Sequence, residues 1–249
     1  MKNLFLTILI FTVITVNATK VYAVRPFITD DAAVVGQRLL QLETWALFDK
    51  NTGEHWIMWA LGPTDKLEVS MGAVYGYVQN KNHTNFSFAL PLLEVKYLLH
   101  EYQPDKLPGV ALVGGTFLPM GKGEFAHTGY GFYSFLAITQ CLGKDENVLI
   151  HGNIGVNYLR DKNQFISFWG LGTQIKTYKG LHFVAEIISG DPYVPETGLV
   201  YQTGFRHFIS EFIQIDATIG QGLAGENKVP FWCGFGARFV MPIGPIGRK

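Results

Sequence analysis

The segment 67–78 alternates between two kinds of side chain. Apolar or aromatic residues occupy every odd position from Leu67 to Tyr77, while the even positions include Glu68, Ser70 and two glycines. Successive side chains of a β-strand point to opposite faces, so a period of two predicts a strand. This strand is predicted to have one apolar face and one face that carries a carboxylate, a hydroxyl and glycines.

Similar segments recur along almost the whole chain. They predict about twelve strands, at 37–48, 55–61, 67–78, 86–100, 109–118, 130–142, 148–160, 165–178, 181–188, 199–208, 212–220 and 231–241. Tight connections tend to alternate with longer ones, the tight ones at 62–66, 143–147, 179–180 and 209–211 and the longer ones at 79–85, 119–129, 189–198 and 221–230. The connections 101–108 and 161–164 depart from this alternation. An even strand number with short turns on one rim is typical of outer-membrane barrels.

Composition favours a membrane barrel over a soluble protein. The chain has 249 residues, of which 48% are hydrophobic and 16% are charged, whereas soluble domains average roughly 25% charged residues. A soluble barrel of about twelve strands would be too wide for its side chains to fill. The predicted fold class is therefore all-β, an antiparallel transmembrane β-barrel of about 12 strands of the outer-membrane type, with its apolar face toward lipid. A soluble two-sheet sandwich is the alternative.

The polar face is predicted to line the lumen as a ladder of charged and amide side chains. Its members are Glu43, Glu68, Glu94, Lys96, His151, Gln174, Lys176, Glu186, Gln202, Arg206, Gln214, Asp216 and Arg238. A dry core could hold so many polar groups only at a high cost in free energy unless they were paired. The ladder could tune the passage of solutes, or it could serve only to fix strand register and fill the barrel.

Folding each hairpin about its connection predicts which residues of this ladder face one another. The predicted opposite pairs are Glu68 with Lys96, Ser70 with Glu94, Asp216 with Arg238 to within about one pair, Arg206 with Gln214, and, on barrel closure, Glu43 with Arg238. Side chains directly opposite on one face lie about 5 Å apart at their Cβ atoms. Acidic Asp216 and Glu43 are therefore expected between Arg206 and Arg238.

The N-terminus is typical of an exported protein. Lys2 precedes an apolar run at 4–16, and Val21 and Ala23 provide the small residues that a signal peptidase reads. Residues 1–23 are predicted to be a cleavable signal peptide, because the run is too short to span a bilayer. Residues 24–249 are then a single outer-membrane barrel domain, with 24–35 as a periplasmic segment leading into it. Whether this leading segment folds inward as a plug is open.

Four stretches carry a resemblance to a known family. The sequence runs Arg-Pro-Phe-Ile-Thr-Asp-Asp-Ala at 25–32, Leu-Gln-Leu-Glu at 40–43, Leu-Glu-Val-Lys-Tyr at 93–97, and Pro-Gly-Val-Ala-Leu-Val-Gly-Gly-Thr-Phe-Leu-Pro-Met-Gly at 108–121. Together they resemble the outer-membrane transporter-like family of the meta-pathway of phenol degradation. The resemblance implies a bacterial outer-membrane barrel for uptake of small, often hydrophobic compounds. Met120 stands where a hydroxyl residue is expected.

Export and alternation together predict the location and the partners. The protein is expected in the bacterial outer membrane, in contact with its lipid, with a small-molecule solute and with the outer-membrane insertion machinery. Gly236, Phe239 and Met241 would form a degenerate version of the signal that this machinery reads. No nucleic-acid partner is expected, because the formal net charge is +0. No cofactor or metal is expected either, because the histidines show no spacing typical of metal ligands.

Two other classes of function remain as alternatives to a channel. An enzyme acting on lipid at the barrel rim would need a nucleophile, a base and an orienting group close together. His127 and Thr128 in the 119–129 loop have no adjacent serine, so no catalytic residue is assigned and no enzyme is expected. A structural or surface-interaction barrel without transport is the other alternative.

Overall fold

The computed structural model describes residues 25–143, 146–195, 197–225 and 228–243, and within them all regular structure is β. The strands are β1 Leu39–Phe48, β2 Thr52–Leu61, β3 Leu67–Gln79, β4 Thr84–His100, β5 Gly109–Phe117, β6 Gly121–Lys122, β7 Gly131–Leu142, β8 Val148–Leu159, β9 Gln164–Tyr178, β10 Leu181–Ser189, β11 Leu199–Phe208, β12 Ile213–Ala224 and β13 Trp232–Pro242. The predicted signal peptide at 1–23 lies outside the described residues.

The strands close into one antiparallel barrel. Twelve of those described form its wall, and the two-residue strand β6 adds a short second partner to β4. Each wall strand pairs with the next in the chain, and β1 pairs with β13 to close the sheet, with Glu43 opposite Arg238. The predicted fold class and strand number are confirmed. Most strand ends agree with the prediction to within one or two residues, but β12 continues to Ala224 because its ladder extends past Gly220.

The apolar face of the wall points outward. In β3 the outward side chains of Val69, Met71 and Tyr75 are 41%, 51% and 49% exposed, while the inward Glu68 and Ser70 are 6% and 3% exposed. The same alternation runs through β4, β7 and β12. Leaving such a surface in water is unfavourable by roughly 25 cal/mol per Å² of apolar area, so it is suited to lipid. No helix among the described residues is long and apolar enough to cross a membrane.

The two ends of the barrel differ. We call the end where residue 36 leads into β1 the N-terminal rim, and the opposite end the loop rim. The loop rim carries three long connections, at 118–130, 190–198 and 225–231, together with tight turns at 49–51, 80–83 and 160–163. The predicted long loop at 79–85 is wrong, because β3 and β4 continue their ladder to the pair Gln79 and Thr84 and leave only a four-residue turn.

Apolar side chains also fill part of the interior. A buried cluster of Phe117, Tyr133, Phe135 and Phe168 lies against the wall formed by β5, β7 and β9. The rings of Phe135 and Phe168 pack edge to face with centroids 5.7 Å apart, and those of Tyr133 and Phe135 are stacked with centroids 6.3 Å apart. The barrel therefore has a packed core on one side and leaves the remaining interior to the groups described next.

Candidate functional site in the barrel lumen

Residues 25–35, which we call the lumen segment, lie inside the barrel. The segment has no ladder of its own, and its backbone amides donate to side chains of the wall. These bonds are Ile28 and Thr29 to Glu186 (2.8 and 2.8 Å), Asp30 to Asn153 (2.6 Å), Ala32 to Thr139 (2.9 Å) and Val35 to Glu68 (2.7 Å). Polar groups in a low-dielectric interior need such partners. The question that the sequence leaves open is thus answered, since this part of the predicted leading segment folds inward.

Ion pairs anchor the lumen segment at two places. The Lys96 ammonium lies 2.8 Å from Asp30 Oδ1 and 3.5 Å from Asp31 Oδ1. At the other end of the segment, Arg25 Nη2 lies 2.9 Å from Asp216 Oδ1. Arg206 of the wall also donates to the carbonyl oxygen of Arg25. Wall and segment therefore share two groups of buried ion pairs, which we call the charge network of the lumen.

The register of the predicted ladder is correct in some hairpins and wrong in others. Glu68 lies opposite Lys96, Ser70 opposite Glu94, and Glu43 opposite Arg238, as predicted. The last two hairpins differ from the prediction by two residues, so that Arg206 lies opposite Asp216, Gln214 opposite Arg238, and Asp216 opposite Gly236.

The shift between β11 and β12 has a local cause. The Ser210 hydroxyl accepts hydrogen bonds from the amides of Phe212 and Ile213, at 3.2 and 3.1 Å. A serine hydroxyl that bonds to the backbone two or three residues on stabilises a turn. Phe212 therefore belongs to the turn, and the backbone oxygen of Ile213 accepts from the amides of Ile209 and Ser210, so Phe208 pairs with Gln214. The centre of the hairpin thus lies one residue further along the chain than predicted, and the register differs by two.

The wall positions predicted to line the lumen do face inward. Twelve of the thirteen are buried: Glu43, Glu68, Glu94, Lys96, His151, Gln174, Glu186, Gln202, Arg206, Gln214, Asp216 and Arg238. Lys176 stands on the same face of β9 as Gln174 but is exposed at the N-terminal rim. The His151 ring contacts Phe27 of the lumen segment, with centroids 5.3 Å apart, and so it supports the segment.

An apolar cavity of about 230 Å³ lies between the lumen segment and the loop rim. Arg25 and Phe27 of the segment form part of its lining, and Trp45, Trp56 and Trp232 provide aromatic walls. The rings of Trp45 and Trp56 are stacked, with centroids 5.6 Å apart and planes at 3°. The Arg25 guanidinium lies 4.7 Å from the centroid of the Trp45 ring. We call this space the tryptophan cavity.

Sequence reasoning missed the aromatic part of this site. Trp56 and Trp59 lie three positions apart on one strand, so their side chains point to opposite faces of the wall. Trp59 is 39% exposed on the outside, and Trp56 lines the cavity. The parity of Trp45 with Glu43, a residue of the predicted ladder, is the signal that could have placed its ring in the lumen.

The 190–198 loop folds into the barrel beside this cavity. The Tyr193 hydroxyl donates to Glu94 at 3.4 Å, and its ring packs edge to face on Tyr133 at 5.8 Å. Asn157 of β8 donates to the backbone oxygen of Asp191 at 3.1 Å. Burial raises the pKa of the Asp191 carboxyl to about 7. Tyr193 also lines a second cavity of about 300 Å³ under the 118–130 loop, so this loop separates two spaces that lie near the loop rim.

The residues considered for rim catalysis lie in the second cavity. Thr128 donates to Asp161 Oδ2 at 2.8 Å, and the His127 ring packs on Phe117 with centroids 4.6 Å apart. Burial lowers the pKa of His127. Nucleophilic catalysis needs the hydroxyl bonded to the base, whereas this hydroxyl donates to the carboxylate. Among the described residues, no group of three or more His, Cys, Asp or Glu side chains is placed to hold a metal ion.

Solved outer-membrane channels share this fold. An outer-membrane channel from Pseudomonas putida F1 aligns with a TM-score of 0.57 and 10% identity over 82% of this chain and 94% of that one. The KdgM porin aligns with a TM-score of 0.57 and 5% identity over 80% and 98%, and the NanC porin with 0.51 and 10% over 82% and 98%. No family model and no curated protein matches the chain. The resemblance to the phenol-degradation family stays a prediction.

Proposed function

We propose that this protein is a channel of the bacterial outer membrane that passes small aromatic or hydrophobic molecules. The observation that carries the proposal is the tryptophan cavity, which lies inside a barrel with a lipid-compatible exterior and ends at the lumen segment. Apolar cavities with a few polar groups are the usual form of small-molecule sites. The fold shared with outer-membrane channels supports the same function.

The proposed location follows from the exterior of the barrel. Its outward aromatic and aliphatic side chains would contact outer-membrane lipid after export by the predicted signal peptide and assembly by the insertion machinery. Bacterial outer-membrane barrels place short turns in the periplasm and longer loops outside. The loop rim, and with it the opening of the tryptophan cavity, would then face the medium.

Passage through this barrel would require the lumen segment to move. Its hydrogen bonds described above go to wall side chains, so its departure would leave the ladder bonds between strands intact. Water entering the lumen could then solvate Lys96 and the carboxylates that face it. The segment is therefore a natural gate, and the described arrangement is the closed one.

Proteoliposome permeation tests the channel directly. We expect L-phenylalanine, which crosses lipid slowly, to enter faster than arabinose, because an aromatic ring suits the tryptophan cavity. Lys96→Met should raise both rates by removing the cation that holds Asp30 and Asp31, while Lys50→Met in the exposed 49–51 turn is the matched control. Absence of permeation in both proteins, each shown to be folded by heat-modifiable migration, would contradict a channel.

The filled lumen favours one second candidate, a structural or surface-interaction barrel without transport. Residues 25–35 and the charge network around them occupy the middle of the barrel. Buried polar networks can serve only to rigidify a fold. Failure of the Lys96→Met protein to conduct, with the lumen segment shown to be released, would support this candidate.

A further inference from the structure

A positively charged side chain of the protein lies on one aromatic wall of the tryptophan cavity. The Arg25 guanidinium lies over the Trp45 ring at 4.7 Å from the centroid. Cations within about 6 Å of a tryptophan centroid are attracted by the negative face of the ring. The stacked pair of Trp45 and Trp56 therefore forms a wall whose electrostatics suit positive charge as well as apolar surface.

The charges of the cavity lining are predominantly negative. Four carboxyl groups line it, those of Glu43, Asp49, Glu54 and Asp191, against the single guanidinium of Arg25. The guanidinium is itself paired with Asp216, which is not part of the lining. Counted by formal charge, the lining has four carboxyl groups and one cation, and a positively charged occupant would favour the ionised form of these buried carboxyls, so the lining suits a cation better than an anion.

One carboxylate oxygen in this lining lacks a partner. Glu43 is 1% exposed, and its Oε1 accepts a hydrogen bond from Gln41 at 3.0 Å. Its Oε2 has no hydrogen-bond partner among the described residues. Arg238 lies opposite Glu43 in the ladder but outside the cavity lining. A buried acceptor without a partner is costly, and an ammonium N–H would satisfy it with a charge-assisted bond.

We propose that the tryptophan cavity binds a small organic cation that carries one aromatic ring. The ring would pack against Trp45 and Trp56, and the ammonium group would donate to Glu43 Oε2. The volume of about 230 Å³ is below the range of drug-sized sites, which suits a single ring with a short ammonium arm. This inference rests on the proposed function, because the ligand would reach the cavity from the loop rim.

Three probes of similar size and different charge test the site. Calorimetric titration of the full, detergent-solubilised protein would compare 2-phenylethylamine, 2-phenylethanol and 3-phenylpropionate. We expect the amine to bind at least about tenfold more tightly than the alcohol, because it adds a charge-assisted hydrogen bond, and the acid to bind most weakly. Equal affinity of amine and alcohol in the wild-type protein would overturn the proposal, and so would the absence of binding by all three.

Substitution of the carboxylate locates the source of the preference. Glu43→Gln should bring the affinity for the amine to within about threefold of that for the alcohol, because it removes the charge and keeps the shape. Glu68→Gln is the matched control, since Glu68 is a buried lumen carboxylate outside the cavity lining, and it should keep the preference. A preference that survives in folded Glu43→Gln protein would refute the assignment. If that variant does not fold, the wild-type comparison of amine and alcohol still decides.

Binding and permeation measurements distinguish an error in the proposed cation site from an error in the proposed channel function. Binding of the amine by a protein that passes no solute would contradict the channel and leave the site in place. Permeation of L-phenylalanine by a protein without charge preference in binding would contradict the site and leave the channel.

Discussion

Replacement of Lys96 by methionine should release the lumen segment without unfolding the barrel. The Lys96 side chain is 1% exposed and holds both Asp30 and Asp31 of the segment through its ammonium group. Glu68 lies directly opposite it in the wall. The substitution would leave these carboxylates facing one another without a cation.

The magnitude follows from the burial of the pair. Removing one partner of a buried ion pair costs about 3–5 kcal/mol when the other charge stays buried. The segment can avoid this cost by moving into water, so the cost should appear as a weaker equilibrium for docking of the segment in the lumen. A change of about 3 kcal/mol shifts the docking equilibrium roughly a hundredfold. The wall keeps its strand ladders and should remain folded.

Hydrogen exchange measured by mass spectrometry reports on docking directly. The amides of Thr29, Asp30 and Val35 are bonded to wall side chains, so their exchange should follow the opening of the segment. We expect roughly hundredfold faster exchange in Lys96→Met, unchanged exchange in the Lys50→Met control, and recovery when Asp30→Asn and Asp31→Asn are added to Lys96→Met. Wild-type protection in folded Lys96→Met protein would refute the reasoning, since docking would then depend on the backbone bonds alone.

Four further predictions address charge, pH, packing and location. Single-channel recording of Arg238→Ala should show a shift toward cation preference, and unchanged ion preference would leave the ladder only a structural role. Burial raises the pKa of Asp191 to about 7, so docking of its loop is most favourable below the unfolded pKa of about 4 and weakens as pH rises through about 7. The protection factor of the Tyr193 amide, which corrects its exchange rate for the base-catalysed rise of intrinsic exchange, should fall from pH 5 to pH 8, and Asp191→Asn should abolish this fall. Gly155→Ala should lower the temperature of heat-modifiable migration, because its Cβ would stand 2.4 Å from the Phe135 Cβ. Fractionation should recover the protein with the outer membrane, and recovery as a water-soluble periplasmic monomer would contradict the membrane assignment.

The fold could be predicted from sequence because every wall strand obeys one simple rule. Alternation identifies a strand and both of its faces, and it holds in β3 from Leu67 to Gln79. Register could be predicted only approximately, because neither a β-bulge nor the exact extent of a turn carries a periodic signal. Next to the β3–β4 turn, Gln79 pairs with Thr84, one position away from the predicted register, and a β-bulge between Gly72 and Val74 shifts the ladder by one, so that Glu68 lies opposite Lys96 as predicted. The β11–β12 turn takes in Phe212 through the Ser210 hydroxyl, and this local bond carries no periodic signal.

The position of the lumen segment could not be predicted in the same way. Its backbone bonds reach wall residues far along the chain, such as Glu186 and Asn153. Neither a helical nor a strand period marks a segment whose partners are side chains of other strands. Its charged residues could at most indicate that Arg25, Asp30 and Asp31 need a polar environment, and the polar face of the barrel is such an environment.

The presence of this segment changes how the polar ladder should be interpreted. On sequence alone the inward polar face is typical of a pore lining, with every member facing water or an ion. In the structure Glu68 and Glu186 accept hydrogen bonds from backbone amides of the lumen segment, and Asn153 donates one to the backbone oxygen of Asp30. These polar side chains therefore bind the segment rather than a solute. Glu43 differs, because one of its oxygens has no hydrogen-bond partner among the described residues and it lines the tryptophan cavity. Several members of the ladder thus hold the segment, and Gln202 both donates to the Pro26 oxygen and lines the cavity, whereas Glu43 keeps one oxygen available to a solute.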